Sequence, residues 1–145
     1  MFKLQLVVPN LHAEREEGYC LKFVDSALGL AEDQMSDTAL IAYAIEDRAG
    51  HITDDVQPPA GLWSVGFAET GDDEGHVWFY TPDGSIEDSN GHYADYAAMN
   101  EALDNSLVNP GWSNQVDGIT LWVDVPEAPV VYDVPAVPDN QEEAD

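Results

Sequence analysis

Apolar residues recur with helical spacing between two glycines near the start of the chain. From residue 20 onward the apolar positions are i, i+3, i+4, i+7 and i+8, which form one face of an α-helix. They are Cys20, Phe23, Val24, Ala27 and Leu28. Gly18 precedes the first turn, and Gly29 stands where a C′ glycine ends a helix. The pattern predicts a helix over residues 20–28 that carries the single cysteine in its first turn.

Two further helices are predicted from composition and spacing. Ser36 or Asp37 is a suitable N-cap for a helix that runs to about residue 48. The residues expected on its buried face are Leu40, Tyr43 and Ala44. Residues 93–107 have helix-forming composition, and Pro110 followed by glycine is expected to end that helix. Its expected inward residues are Tyr96, Met99 and Leu103.

Segments rich in β-branched and aromatic residues predict strands. These segments are residues 2–8, 62–68, 75–80 and 118–125. The turn sequence Pro-Asp-Gly centred on Asp83 predicts a β-hairpin over residues 75–90. With that turn, position 76 lies opposite 90, 78 opposite 88, and 80 opposite 86. The chain is therefore predicted to be α+β, with the cysteine-bearing helix packed on an antiparallel sheet.

The composition changes after residue 125. The chain has 145 residues, of which 44% are hydrophobic, which is enough for one folded domain with a core. Residues 1–125 are predicted to form this domain. Residues 126–145 are rich in proline and acidic residues and are expected to form an extended acidic arm.

The charge is strongly negative, with 29 acidic against 4 basic residues and a formal net charge of −25. This balance argues against binding to nucleic acid or to an anionic membrane. Three explanations stay open: adaptation to high salt, attachment to a basic partner, and mimicry of nucleic acid.

The location of the protein is predicted from three features of the sequence. The N-terminal apolar run is too short for a signal peptide, and no run is long enough to span a membrane. A single cysteine suits a reducing compartment. We therefore expect a protein that is made in a cytoplasm and does not enter a membrane.

The cysteine has a candidate base and a candidate orienting group. A cysteine nucleophile needs a base, and the base needs a polar partner. His76 begins a strong strand, and Gly75 before it is expected to leave room for a substrate. The hairpin register puts Asp88 and Asn90 on the same face as His76, with Asp88 as first choice and Asn90 as the alternative. A register slip of one residue would bring Glu87 there instead.

The order of these features resembles the papain-like family of cysteine, histidine-dependent amidohydrolases and peptidases (CHAP). The resemblance is carried by residues 18–24 (GYCLKFV), 59–63 (PAGLW), 75–79 (GHVWF) and 83–86 (DGSI). Residues 111–113 and 116–119 look like a segment near the end of such domains in bacteriophage lysins. The resemblance covers about residues 18 to 123 and implies a papain-like fold.

The resemblance also implies roles for individual residues. In the family a cysteine thiolate attacks an amide carbonyl of peptidoglycan, which here assigns the nucleophile to Cys20. His76 would be base and then acid, and Asp88 would orient it. Tyr19 and Trp78 are the candidate substrate-binding residues, since Tyr19 adjoins the cysteine and Trp78 shares the face of His76. No cofactor is implied.

The oxyanion hole and metal binding are less well defined by the sequence. The expected oxyanion donors are the backbone N–H of the cysteine and an upstream side chain, with Tyr19, Asn10 and His12 as candidates. His12, His51 and His92 are expected to be surface residues, because no zinc-ligand spacing appears. We therefore expect no metal site.

The leading functional hypothesis is a bacteriophage-type cysteine hydrolase that cleaves amide or peptide bonds of peptidoglycan. The acidic faces and the C-terminal arm would suit attachment to a basic surface, such as that of a virion. Two alternatives stay open. One is a catalytically silent structural or decoration protein of a virion with the same fold. The other is an acidic DNA mimic that inhibits a nucleic-acid-binding protein.

Overall fold

The computed structural model describes residues 2–54, 57–127 and 133–139. Helices and strands are numbered here in chain order. The α-helices are α1 (Cys20–Ala27), α2 (Ala39–Arg48) and α3 (Tyr96–Ala102), and Glu32–Gln34 is a short 3₁₀ turn. The strands are β1 (Phe2–Gln5), β2 (Ser64–Glu69), β3 (His76–Tyr80), β4 (Ile86–Asp88), β5 (Gly91–Tyr93), β6 (Val108–Ser113), β7 (Gln115–Val116), β8 (Ile119–Thr120) and β9 (Trp122–Val125).

The main sheet has the strand order β5-β4-β3-β2-β6. Its neighbouring strands are all antiparallel. β1 pairs with β9 and β7 with β8 in two separate two-stranded sheets. This mixture of helices and antiparallel sheet is an α+β architecture, as the sequence predicted.

The predicted hairpin is confirmed in its register. Phe79 lies opposite Glu87, and Tyr80 lies opposite Ile86. The carboxylate of Asp83 accepts hydrogen bonds from the hydroxyl of Thr81 and the backbone N–H of Ser85, which closes the turn. Because the turn fixes the register, the starting residue of β3 and the last residue of β4 are brought to the same end of the hairpin.

Helix α1 has the expected buried face and the expected end. Phe23, Val24 and Ala27 are fully buried. Leu28 is the C-cap, and Gly29 follows with a φ of +87°, a conformation that glycine adopts without strain. The apolar stripe therefore anchors α1 in the core, and Cys20 is the first residue of the helix.

Helix α2 begins later than predicted. The cap is Thr38 rather than Ser36 or Asp37, since the Thr38 hydroxyl accepts the backbone N–H of Ile41 at 3.1 Å. The later start goes with a different inward face. The buried residues are Ala39, Ala42 and Glu46, whereas Leu40 and Tyr43 are half-buried and Ala44 is exposed.

The predicted helix over residues 93–107 is shorter than expected. β5 occupies its start, and Asp95 then caps α3 by accepting the backbone N–H of Ala98 at 2.8 Å. Positive φ angles at Asp104 and Asn105 follow the helix. Pro110, expected to be a helix terminator, lies within β6, which is tolerated because β6 is an edge strand.

Apolar side chains pack on both faces of the main sheet. On one face, α1 and α2 pack against β2 and β3 through a core that includes Phe23, Val24, Ala42, Phe67 and Phe79. On the other face, α3 packs against the same strands through a cluster that includes Trp78, Tyr80, Ile86, Met99 and Leu107. β3 is buried along its whole length, so its first residue has a rigid support.

Part of the C-terminal segment lies against the domain. Val8 forms a parallel bridge with Ala136, and the N–H of Val137 donates to the carbonyl of Val8 at 2.7 Å. The Val137 side chain packs next to Gly29, the residue after α1. The rest of the predicted arm, residues 128–132 and 140–145, lies outside the described residues. Among the helices that the structure describes, none has the length and apolar character needed to cross a membrane.

Candidate active site

His76 and Asp88 form a buried hydrogen-bonded pair. His76 is the first residue of β3 and Asp88 is the last residue of β4. Their Nε2 and Oδ2 atoms are 3.0 Å apart, and only 6% of His76 and none of Asp88 is exposed. The other carboxylate oxygen, Oδ1, accepts the backbone N–H groups of Asn90 and Gly91 at 2.8 and 2.9 Å. Both oxygens of Asp88 are therefore held, and its contact with the imidazole is well oriented.

Cys20 occupies the N-terminus of α1 and is half-buried. The N-cap residue is Tyr19, and no side chain caps the helix among the residues described. The N–H groups of a first turn point out of the helix and carry the positive end of its dipole. The thiol therefore lies next to backbone N–H donors and the partial positive charge at the start of α1.

The His76 ring is the titratable group most affected by this arrangement. Its burial lowers the pKa, but the hydrogen bond to Asp88 and the neighbouring Cys20 thiol raise it, and the net result is a pKa of about 9. Asp88 engages Nε2, so Nδ1 is the ring nitrogen left for the sulfur. At neutral pH the ring is an imidazolium that is held between a carboxylate and a thiol.

Cys20 stands where two open cavities meet. They have volumes of about 310 and 350 Å³ and share Gly18, Cys20, Glu74 and Gly75. The first cavity also has Tyr19, Lys22, Glu32, Met35 and Ser36 in its lining. The second also has Asp72, His76, Ser89, Asn90 and Asp104. Together they form a groove, and a chain lying in it would pass over the thiol with the imidazole on one side.

Gly75, which the sequence suggested leaves room for a substrate, lines both cavities and is also required for packing. Its φ is +71°, and a Cβ at this position would lie 2.9 Å from the backbone nitrogen of Leu40. The N–H of Leu40 donates to the carbonyl of Glu74 at 2.7 Å. Gly75 therefore lets the start of α2 approach the segment that leads into His76.

Trp78 does not line the groove, which corrects the expectation that it binds substrate. It is fully buried and stacks on His76, with ring centroids 5.5 Å apart and an interplanar angle of 28°. The indole also covers Gly66, where a Cβ would lie 2.2 Å from it. Trp78 thus supports the imidazole from within the core. Tyr19, the other expected substrate contact, is 55% exposed and lies in the groove lining.

The alternative orienting residues are placed elsewhere. Asn90 is exposed at the rim of the groove, and within the described part of the chain its hydrogen bond to Asp88 comes from its backbone N–H. Glu87 pairs with Arg15 at 2.8 Å and hydrogen-bonds His92. The residue that contacts His76 is Asp88.

Two of the expected oxyanion donors are at the wrong end of α1. The N–H of Asn10 donates to the carbonyl of Ala27 at 2.8 Å, and the carboxamide oxygen of Asn10 accepts the N–H of His12. Ala27 is the last residue of α1, so Asn10 is held about 10 Å along the helix axis from Cys20. Asn10 and His12 are therefore not placed to stabilise an oxyanion at the thiol, and Tyr19 is left as the candidate side chain.

Sequence reasoning missed Arg15 and Ser89. The Arg15 guanidinium donates to the carbonyl oxygens of Asp88 and Gly91, and Ser89, which is 4% exposed, lies in the groove lining. The scarcity of basic residues was the one signal for Arg15, because each of only four basic residues among 29 acidic ones is expected to pair with a carboxylate. Nothing in the sequence pattern distinguished Ser89.

A pair of acidic residues, Asp25 and Asp117, lies next to Ser36 of the groove lining. Asp25, on α1, is fully buried, and its burial together with the neighbouring Asp117 raises its pKa to about 10. Asp117 accepts the backbone N–H and the hydroxyl of Ser36 at 3.0 and 2.5 Å. Asp25 therefore carries a proton at neutral pH and cannot act as a base there.

The other histidines lie away from the groove lining. His51 hydrogen-bonds Glu46 at 2.8 Å, His92 hydrogen-bonds Glu87, and His12 is exposed. Within the described ranges, no group of three or more histidine, cysteine, aspartate and glutamate side chains is close enough to hold a metal ion.

No family model matches the chain, no curated protein is significantly similar to it, and no solved structure matches its fold.

Proposed function

We propose that this protein is a papain-like cysteine hydrolase that cleaves amide or peptide bonds of peptidoglycan. The observation that carries the proposal is the buried His76–Asp88 pair, whose Nε2 and Oδ2 atoms are 3.0 Å apart, with His76 lining the same cavity as Cys20. The identity of the substrate is supported by the resemblance of residues 18–24, 75–79 and 83–86 to the CHAP family.

Attack by the thiolate begins the reaction. Cys20 Sγ forms a bond to the carbonyl carbon of the scissile amide, and the carbonyl π electrons move to oxygen. The backbone N–H of Cys20, at the uncapped start of α1, is suited to stabilise this oxyanion. Tyr19 precedes Cys20 and also lines the groove, so its hydroxyl is the candidate second donor.

His76 then completes the cleavage. The imidazolium donates its proton to the leaving nitrogen, the C–N bond breaks, and a thioester is left on Cys20. The neutral imidazole next takes a proton from water, which attacks the thioester carbonyl. The C–S bond breaks, the acid is released, and the thiolate–imidazolium pair forms again. Asp88 keeps the ring in one orientation throughout, and its own oxygens stay bound.

The shape and charge of the groove agree with an extended peptide-containing substrate. Cavities lie on both sides of Cys20, so residues before and after the scissile bond have room. Carboxylates line both halves, and Lys22 pairs with Glu32 at 3.5 Å. A surface of this charge repels anionic wall polymers and favours peptide segments that carry amino groups.

The experiment that tests the proposal measures release of soluble fragments from purified peptidoglycan. Parent protein is compared with Cys20→Ala and His76→Gln, and His51→Gln serves as the matched control because His51 also pairs with an acidic residue, away from the groove. Cys20→Ala and His76→Gln should lose release while staying folded, and His51→Gln should keep it. Equal release by the parent and Cys20→Ala would refute the proposal.

A second candidate is attachment to a basic partner without catalysis, which the net charge of −25 favours. In this case the protein would be a structural component, as on a virion, or a mimic of DNA. It would then release nothing from peptidoglycan and would bind a basic surface or a nucleic-acid-binding protein, with affinity that falls as salt is raised.

A further inference from the structure

Arg15 lies in the segment before α1 and holds the turn that carries Asp88. Nη1 of its guanidinium donates to the carbonyl oxygens of Asp88 at 3.1 Å and Gly91 at 3.2 Å. Nη2 donates to Oε1 of Glu87 at 2.8 Å. These acceptors belong to the end of β4 and the start of β5, on either side of the Asp88 side chain. The guanidinium therefore fixes the backbone from which Asp88 projects.

The same guanidinium also contacts the helix that carries the cysteine. Its Cζ atom lies 4.6 Å from the ring centroid of Phe23. Phe23 is fully buried in the next turn of α1 after Cys20. Stacking of a cation on an aromatic face is attractive and depends on position. Arg15 thus joins two elements that each carry a member of the candidate site.

The planar fork of arginine is what allows these contacts at one point. It reaches backbone carbonyls and a carboxylate while its face stacks on a ring, which an ammonium group cannot do. The chain has only four basic residues, and this one binds the turn beside Asp88. A surface arginine that only improved solubility would not be expected to donate to two backbone carbonyls.

We propose that Arg15 is a positioning residue that sets the distance between Cys20 and the His76–Asp88 pair by locking the β4–β5 turn against α1. The proposal deepens the hydrolase assignment and rests on it for its catalytic consequence. Arg15 acts through Asp88 and Phe23 and takes no part in bond making. Its removal frees the turn, so Asp88 turns away from Nε2 and the imidazole loses its alignment with the thiol.

The test compares Arg15→Met with Lys3→Met. Lys3 is a matched control because it also pairs with a carboxylate, Asp124 at 2.6 Å, and lies over an aromatic ring, Trp122 at 4.5 Å, but on the β1–β9 sheet. The measurements are the titration of the His76 ring by NMR, the kcat and KM for peptidoglycan release, and urea unfolding.

In Arg15→Met we expect the His76 pKa to fall from about 9 toward its ordinary value of 6.5, since the Asp88 hydrogen bond is loosened. We expect kcat to fall on the order of 100-fold with little change in KM. Lys3→Met should keep the parent His76 titration and kcat. A folded Arg15→Met with the parent titration would overturn the proposal.

Arg15→Lys keeps the charge and serves if Arg15→Met does not fold. Because the charge is kept, Arg15→Lys should fold. Because the planar fork is lost, the His76 pKa should still drop, by less than in Arg15→Met. A parent-like titration in Arg15→Lys would overturn the proposal in that case. Failure of the hydrolase assignment itself has a different signature: the parent releases nothing from peptidoglycan, while the His76 titration still reports on Arg15.

Discussion

Trp78 lies directly beneath His76, and the two rings stack with centroids 5.5 Å apart. Both residues are on the same face of β3. The indole packs against Gly66 on the neighbouring strand β2, and it can do so because glycine has no side chain. The orientation of the imidazole is therefore determined from below by packing and from the side by Asp88. The candidate site is continuous with the apolar core, so substitutions in that core next to His76 should change the His76 pKa as well as the stability.

Truncation of Trp78 tests this coupling. Trp78→Leu removes the surface on which His76 stacks and leaves a cavity, so we expect a loss of about 3 kcal/mol in unfolding free energy. The His76 titration should broaden or shift because the ring is no longer held against Asp88. Urea unfolding and NMR titration measure the two effects. Met99→Ala, which removes a buried side chain of α3 from the same cluster, is the control and should lower stability alone.

Gly66→Ala probes the same support from the opposite side. A Cβ at this position would come within 2.2 Å of the indole, which has no room to retreat because Trp78 is fully buried. We expect a loss of roughly 1–3 kcal/mol from overpacking, measured by urea unfolding. Gly71→Ala is the comparison, because nothing lies within 4 Å of a Cβ there and its φ of +81° predicts a loss from backbone strain alone. A Gly66→Ala variant as stable as the parent would contradict the packing argument.

Asp25 predicts an unusual dependence of stability on pH. Its pKa is raised from 3.8 to about 10, so the folded protein keeps a proton that the unfolded chain loses above about pH 4. Its contribution is therefore fully present below pH 4 and is lost as the pH rises toward 10. Asp25→Asn should be more stable than the parent at pH 8, with an advantage that grows from pH 5 to 9 in urea unfolding.

Asp117→Asn is expected to act in the opposite direction. Burial raises the pKa of Asp117, but the hydrogen bonds with Asp25 and Ser36 lower it by more than burial raises it, so the net pKa lies below 3.8. A lowered pKa contributes stability above the unfolded value of 3.8 and loses it as the pH falls. Asp117→Asn should therefore be less stable than the parent at pH 7. If both variants shifted stability in the same direction at pH 7, the account of this acid pair would be wrong.

Salt should stabilise the protein. With a net charge of −25, carboxylates repel one another at low ionic strength, and the Debye length falls from about 10 Å at 0.1 M to about 3 Å at 1 M salt. We expect the midpoint of thermal unfolding to rise by several degrees between 0.05 and 1 M NaCl, by calorimetry. A midpoint that is unchanged or lower in 1 M NaCl would contradict this expectation.

Local sequence signals predicted the parts of the fold that depend on neighbouring residues. The α1 face and its end at Gly29 follow from a 3.6-residue period and a C′ glycine. The hairpin register follows from the turn at Asp83, and the His76–Asp88 contact follows from the register. A turn sequence can therefore predict contacts between residues on the two strands that it joins.

Features that depend on distant segments could not be predicted in this way. Pro110 ends helices in most contexts, but pairing with β2 places it in an edge strand. Trp78 was expected in the groove because the alternation of strand residues predicts only the face on which it lies. It is buried by Gly66 of β2 and by α3, which are distant in sequence. Arg15 was missed because its acceptors are mostly backbone carbonyls, which no sequence pattern marks.

The most direct test of the central claim is the pH dependence of the alkylation of Cys20 by iodoacetamide, in the parent and in His76→Gln. A thiolate that is paired with the His76 imidazolium should react well below about pH 8 in the parent, and His76→Gln should move the reaction to the range of an ordinary thiol, near pH 8.5. A parent thiol that reacts only in that ordinary range, with no change in His76→Gln, would contradict the claim that Cys20, His76 and Asp88 act together.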